Sequence, residues 1–185
     1  MAETTRLLTA DDLLALPDDG WRYELRAGRL LREPPAGGEH GALGVEALYL
    51  LKHHIRQHRL GKLYSADTGF VLARDPDTVR APDIAFVRAD RALSGPDARG
   101  FLPQAPDLAV EIVSPSERPS STRARVEDYL RAGTRLVWVI YPTTRSVTVH
   151  RLDGSVSELR EGGTLSGEEV VPGFACAVAD LFAEL

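Results

Sequence analysis

The stretch PDLAVEIVSPS, residues 106–116, decides how the rest of the chain is read. As a β-strand it places Leu108, Val110 and Ile112 on one face and Ala109, Glu111 and Val113 on the other. A strand apolar on both faces belongs in the interior of a sheet. Glu111 is the exception. An ionised carboxylate there is costly unless it is paired, protonated or bound to a metal.

C-terminal to this stretch, the helical pattern over 120–132 carries Val126, Tyr129 and Leu130 on one side and stops at Gly133. It is followed by a second buried strand, RLVWVIYP, in which Trp138 is a core residue. Strand, helix and strand at this spacing predict a crossover connection between parallel neighbours. Turns at Thr143-Thr144 and Asp153-Gly154 then join RLVWVIYP to SVTVHRL and SVSELRE as C-terminal β-hairpins.

Upstream, GFVLAR and PDIAFV read as further strands, and 88–105 as an exposed loop with one helical turn. From Glu39 to His58, Leu43, Ala47, Leu50, Leu51 and Ile55 recur at spacings of three and four, the signature of a long helix, which we expect to end at Gly61. WRYELRAGRLLRE is an N-terminal hairpin about Ala27-Gly28, with Glu24 in its first arm. TADDLLAL, from Thr9, is a short capped helix. The expected fold class is α/β, an α+β mixed sheet flanked by helices, in one domain spanning 1–185.

Composition narrows the function. With 185 residues and 43% hydrophobic content the chain can bury a substantial core. No apolar run approaches about 18 residues and no charged-then-apolar leader is present, so a cytoplasmic, non-membrane protein is expected. The single cysteine, Cys176, excludes an internal disulfide and a cysteine metal site, and reads as a small buried side chain. A net charge of −5 argues against a broad nucleic-acid-coating surface. The arginines at 118, 123, 125, 131 and 135 form either a local positive patch or solvated helix charge.

Asp83 and Asp107 each follow a proline at the head of a strand, where acids often cap turns. If Asp83 and Glu111 sit on neighbouring strands and face the same way, their oxygens can share a hard cation such as Mg²⁺. A structural ion pair between Glu111 and an arginine is the equal alternative. His54 and His58, one helical turn apart, read as a solvated helix flank rather than metal ligands. Ser114 and Ser116 have no nucleophile-elbow context and read as strand terminators bonding the backbone near Pro115. Gly37-Gly38 lacks the lysine of a phosphate loop and reads as a flexible lead into the helix.

The segments YEL near the start, a histidine heading the long helix, PDIAFV, PDLAVEIVSPS, a helix ending YLRAG, and RLVWVIYP together resemble the Uma-two family of restriction-endonuclease-like proteins, within the PD-(D/E)XK nuclease superfamily. The resemblance runs from about Thr9 to Leu152. It implies a restriction-endonuclease-like core and a metal-dependent endonuclease hydrolysing DNA with Mg²⁺ or Mn²⁺. Asp83 takes the place of the motif aspartate and Glu111 that of the (D/E), with Glu24 as a supporting acid at the metal. His40 takes the place of the histidine at the helix head.

The lysine expected two residues after Glu111 is Val113. The family's alternative lysine position on the following helix is Arg125, which can face a phosphate but cannot act as a base. Water activation is then left to the metal, assisted by Glu24 or His40. A homodimer is expected from the resemblance alone. The alternative from another class is a catalytically degenerate domain of this fold that binds nucleic acid or protein.

Overall fold

Alternation along residues 108–112 sorts the interior into two layers. The computed structural model describes residues 6–115, 117–183 and 185. Strand β7 (Leu108–Ile112) lies at the centre of a six-stranded sheet, beside β8 (Leu136–Tyr141) and β6 (Ile84–Arg88). Leu108, Val110 and Ile112 join Leu136, Trp138 and Ile140 on one face, where α2 (Gly38–His58) lays down Leu43, Ala47, Leu51 and Ile55. On the other face Ala109, Val137 and Val139 meet Val126 and Tyr129 of α3 (Pro119–Arg131). Each helix buries the stripe its spacing marks out.

The strands β7 and β8 are parallel and α3 is their crossover, as the segment lengths require. The other pairs of this sheet are antiparallel: β3 (Gly61–Ser65) on β6, β6 on β7, and β9 (Ser146–Arg151) between β8 and β10 (Val156–Arg160). The architecture is therefore a mixed central sheet flanked by helices.

A second, four-stranded antiparallel sheet runs, in spatial order, through residues 29–33, 22–26, 78–80 and 70–73. It combines the expected hairpin, β1 (Arg22–Arg26) and β2 (Arg29–Glu33), with β4 (Phe70–Ala73) and β5 (Thr78–Arg80). Ala27 and Gly28 both take positive φ, 50° and 72°, as a tight two-residue hairpin demands. Helix α1 (Ala10–Leu14) starts at Thr9 in a reciprocal cap with Asp12 and closes this sheet's small core of Leu13, Leu25, Val71 and Val79. A strand pair, β11 (Thr164–Ser166) with β12 (Ala175–Ala177), and the short α4 (Val178–Leu181) complete the described chain. The loop between β6 and β7 carries one 3-10 turn at Gly95–Ala98.

Four expectations need correction. Helix α2 stops at Arg59, which adopts a left-handed conformation at φ 54° and bonds back to Ile55 and Arg56, not at Gly61. Gly61 instead opens β3, where a Cβ would run into the Val87 carbonyl. Gly61→Ala is therefore expected to cost about 1–3 kcal/mol in denaturant unfolding, because a backbone oxygen in a sheet cannot yield.

The strands β3 and β5 were not expected. GKLYS is a half-exposed edge strand, and β5 is three residues long and ends on a buried arginine. His54 is no solvated flank, since its Nε2 lies 2.9 Å from the Pro172 carbonyl and its ring packs edge-on to Phe174. Cys176 is half-buried. Ser116 lies outside the described residues. No helix among the described residues is long and apolar enough to cross a membrane.

Candidate active site

Asp83 immediately precedes β6, and the β6–β7 register of Ile84 with Val110 continues one step to set Asp83 opposite Glu111. Two acids on adjacent strands are thereby brought together at the end of the sheet. Both line a cavity of about 880 Å³ whose walls are the β2–α2 connection and the N-terminal part of α3.

Asp83 is tied on one side. Its Oδ2 accepts the Ile112 backbone N–H at 2.8 Å and lies 3.1 Å from His40 Nε2. Among the described residues its Oδ1 has only Arg22 Nη1, at 3.5 Å. Burial disfavours the ionised carboxyl, but the His40 hydrogen bond and charge, the Ile112 N–H and Arg22 together hold it below the usual carboxylate range. His40 is raised in turn, chiefly by its bond to Asp83. Thus His40 faces inward from the head of α2, as its helical phase predicts.

Glu111 is 6% exposed. Its Oε1 accepts the Tyr129 hydroxyl at 2.6 Å, while among the described residues Oε2 has no partner closer than Arg125 Nη1 at 3.9 Å. Burial, reinforced by the nearby charges of Asp83 and Glu24 and opposed by Arg125, pushes its carboxyl up to about 8. Between its ordinary 4.5 and about 8 the folded protein therefore holds a proton that the unfolded chain has released. Stability from this group falls as pH rises through that window. In chelator, thermal melts should show wild type losing more stability than Glu111→Gln between about pH 5 and pH 8.5.

Glu24 is the most heavily engaged acid. It sits on β1 opposite Arg80 of β5, one step along the register from Leu25 with Val79. Its Oε1 accepts from the Ala81 N–H at 2.9 Å and from Arg125 Nη1 at 2.9 Å, and its Oε2 from Arg80 Nη1 at 2.7 Å and Arg125 Nη1 at 3.0 Å. Arg80 also donates twice to Asp128 of α3, at 2.7 and 3.0 Å. A buried network of Glu24, Arg80, Arg125 and Asp128 thus bolts the four-stranded sheet to α3 beneath the two acids.

Arg125 is the hub. Besides Glu24 it contacts Glu33 through Nη2, and Glu117 Oε1 stands 3.8 Å from Nε. Of the five arginines in the 118–135 stretch it is buried, whereas Arg118, Arg123 and Arg131 are solvated. Asp107, by contrast, accepts from the Arg88 N–H and from Arg91, the turn-capping role expected of it.

The five residues selected from the sequence, Asp83, Glu111, Arg125, Glu24 and His40, therefore converge. The sequence reading missed Tyr129 as a donor, Arg80 and Asp128 as ion-pair partners, and Arg22 and Glu33 at the rim. Only Arg22 carried a signal, since it shares a face of β1 with Glu24.

Among the described residues no three His, Cys, Asp or Glu side chains cluster tightly enough to form a metal cage. The donor set nevertheless fits a hard divalent cation, which takes one or two carboxylates and keeps waters. Asp83 Oδ1 and Glu111 Oε2 are the two oxygens free of short hydrogen bonds, and they belong to acids facing each other across adjacent strands. Glu24 has no such free oxygen.

The fold is that of a solved structure from Anabaena variabilis described as "a putative nuclease belonging to DUF820", with a TM-score of 0.83 and 21% identity over 95% of this chain and 98% of that one. No curated protein matches the chain. The family Uma2, described as "Putative restriction endonuclease", matches residues 10–179 and so takes in both sheets, α2, α3 and every residue of the site. On that match, which spans nearly the whole sequence, the chain belongs to the Uma2 family.

Proposed function

We propose that the chain is a single-domain, metal-dependent endonuclease that hydrolyses phosphodiester bonds of DNA. The observation that carries this reading is the facing pair Asp83 and Glu111, both lining one cavity, each with an oxygen whose nearest cationic partner among the described residues is an arginine 3.5 or 3.9 Å away. The family description and the nuclease-like fold support it.

Asp83 and Glu111 would hold Mg²⁺ or Mn²⁺ through Oδ1 and Oε2. When bound, the cation supplies charge neutralisation at a phosphate oxygen and a more acidic water. His40 and the Ile112 N–H fix the Asp83 carboxylate in place, and Tyr129 does the same for Glu111. Arg125, which keeps its charge at any working pH, faces the phosphate and stabilises charge developing on it. Glu24 acts in support by holding Arg125 and Arg80 rather than through an oxygen of its own. His40, which lines the cavity with its Nε2 on Asp83, is suited to pass a proton to or from the site.

The test is incubation of plasmid and of single-stranded DNA with the protein in Mg²⁺ or Mn²⁺. Cleavage that chelator abolishes is expected. Cleavage by neither metal form overturns the reading.

The engagement of Arg125 by acids favours a second reading, a degenerate nuclease fold that serves as a nucleic-acid or protein-binding module. Calorimetric titration with Mn²⁺ separates the two, since a degenerate site binds no metal. We further propose a cytoplasmic homodimer that addresses both DNA strands. The exposed Val45 and Tyr49 of α2, at 68% and 62%, are apolar surface that such pairing would cover, and sedimentation of the full chain tests it.

A further inference from the structure

Arg125 offers its guanidinium unevenly. Its Nη1 is spoken for by both oxygens of Glu24, deep in the network. Its Nε is buried and has no hydrogen-bond partner among the described residues, although Glu117 stands 3.8 Å away. Its Nη2 is held by Glu33, at the end of β2, whose side chain is 35% exposed, the most open of the acids around Arg125.

An orphaned buried N–H is costly and marks a place where a partner is missing. The Nε and Nη2 hydrogens together form the side-on edge of a guanidinium, the edge that receives two oxygens of one carboxylate or phosphate. Glu33 fills half of this edge, while the Nε half makes no hydrogen bond among the described residues and has Glu117 Oε1 standing 3.8 Å off. The edge belongs to a residue that lines the cavity containing Asp83 and Glu111.

We infer that Glu33 is a positioning residue that holds Arg125 ready and is exchanged for a substrate phosphate, which then takes both Nε and Nη2 side-on. The inference rests on the nuclease reading for the identity of that phosphate as a DNA phosphate. Glu33 is suited to the exchange by its location. It sits on the cavity rim, where leaving the guanidinium returns its carboxylate to water, and it is followed by the segment Pro34-Pro35-Ala36-Gly37, which also lines the cavity. Glu24 is unsuited, being buried and bonded on both oxygens.

A ligand displaced by substrate in the ground state weakens substrate and transition state alike. Glu33→Gln, which keeps shape and removes charge, is therefore expected to tighten binding of a short fluorescein-labelled single-stranded DNA about five- to tenfold, measured by anisotropy in Ca²⁺. In the cleavage assay KM should fall by a similar factor with kcat unchanged. Glu39→Gln, which removes an equal charge from the same rim without touching Arg125, should change affinity much less. In an Arg125→Lys background the Glu33→Gln gain should vanish, because an ammonium has no side-on edge.

Equal affinity of wild type and Glu33→Gln, absent binding in both included, overturns the inference. So does an equal gain from Glu39→Gln, which would mark bulk electrostatics. Tighter binding without cleavage by either protein would sustain the exchange while overturning the nuclease reading, and cleavage with unchanged KM would do the reverse.

Discussion

Glu111→Ala is expected to lower divalent-metal-dependent DNA cleavage by at least about a hundredfold while leaving the protein folded. The two halves of that expectation have separate causes. Removing one of two carboxylates from a cation site takes away about half of its charge and one of its fixed oxygens. Stability should not suffer in proportion, because Glu111 is a cost to the apo fold. It is buried, its carboxyl is pushed up to about 8, and its one short bond is to Tyr129. Steady-state cleavage together with thermal melts in chelator checks both. Loss of activity in a protein that still melts cooperatively assigns Glu111 to chemistry, whereas activity retained within a few-fold removes it from the site.

Arg80→Ala is expected to have the largest effect on stability, about 3–5 kcal/mol by denaturant unfolding. Arg80 is 2% exposed and holds Glu24 through Nη1 and Asp128 through Nε and Nη2. Without it two buried carboxylates lose a cationic partner at once, with Arg125 and Arg26 left to compensate in part. The penalty is that of uncompensated charge rather than the worth of the pairs. A double variant, Arg80→Met with Glu24→Gln, should therefore recover part of the loss, and this non-additivity is the signature of a coupled network. A loss below about 1 kcal/mol would mean that the network is solvated in solution.

What the sequence revealed follows from how far each signal reaches. The acid within PDLAVEIV was legible because strand alternation is a two-residue rule, and a charge between apolar neighbours breaks it visibly. The parallel β7–α3–β8 unit was legible because helix and strand lengths limit the ways the chain can return. Asp83 and Glu111 were placed together by combining these local readings with the family resemblance, and the β6–β7 register, continued one step past Ile84 and Val110, sets them opposite each other.

Arg80 escaped because an arginine after Thr78-Val79 looks like the exposed end of a short segment, and only the neighbouring sheet and α3 make it interior. The partners of Arg125 were equally hidden. Glu24 and Glu33 lie 101 and 92 residues away in sequence, beyond the reach of any periodicity. The motif drew Glu24 out of the sequence, but its four accepted hydrogen bonds depend on tertiary geometry. Likewise the phase of Tyr129 disclosed that it packs inward, without disclosing that its hydroxyl ends on Glu111.

A crystal of the protein soaked in Mn²⁺ and measured at the manganese absorption edge would show where the cation sits. One anomalous peak is expected about 2.1 Å from both Asp83 Oδ1 and Glu111 Oε2, lost when Glu111 is changed to alanine. Asp83 and Glu111 without a peak, at a Mn²⁺ concentration that fills surface sites elsewhere, would contradict a cation held by this pair.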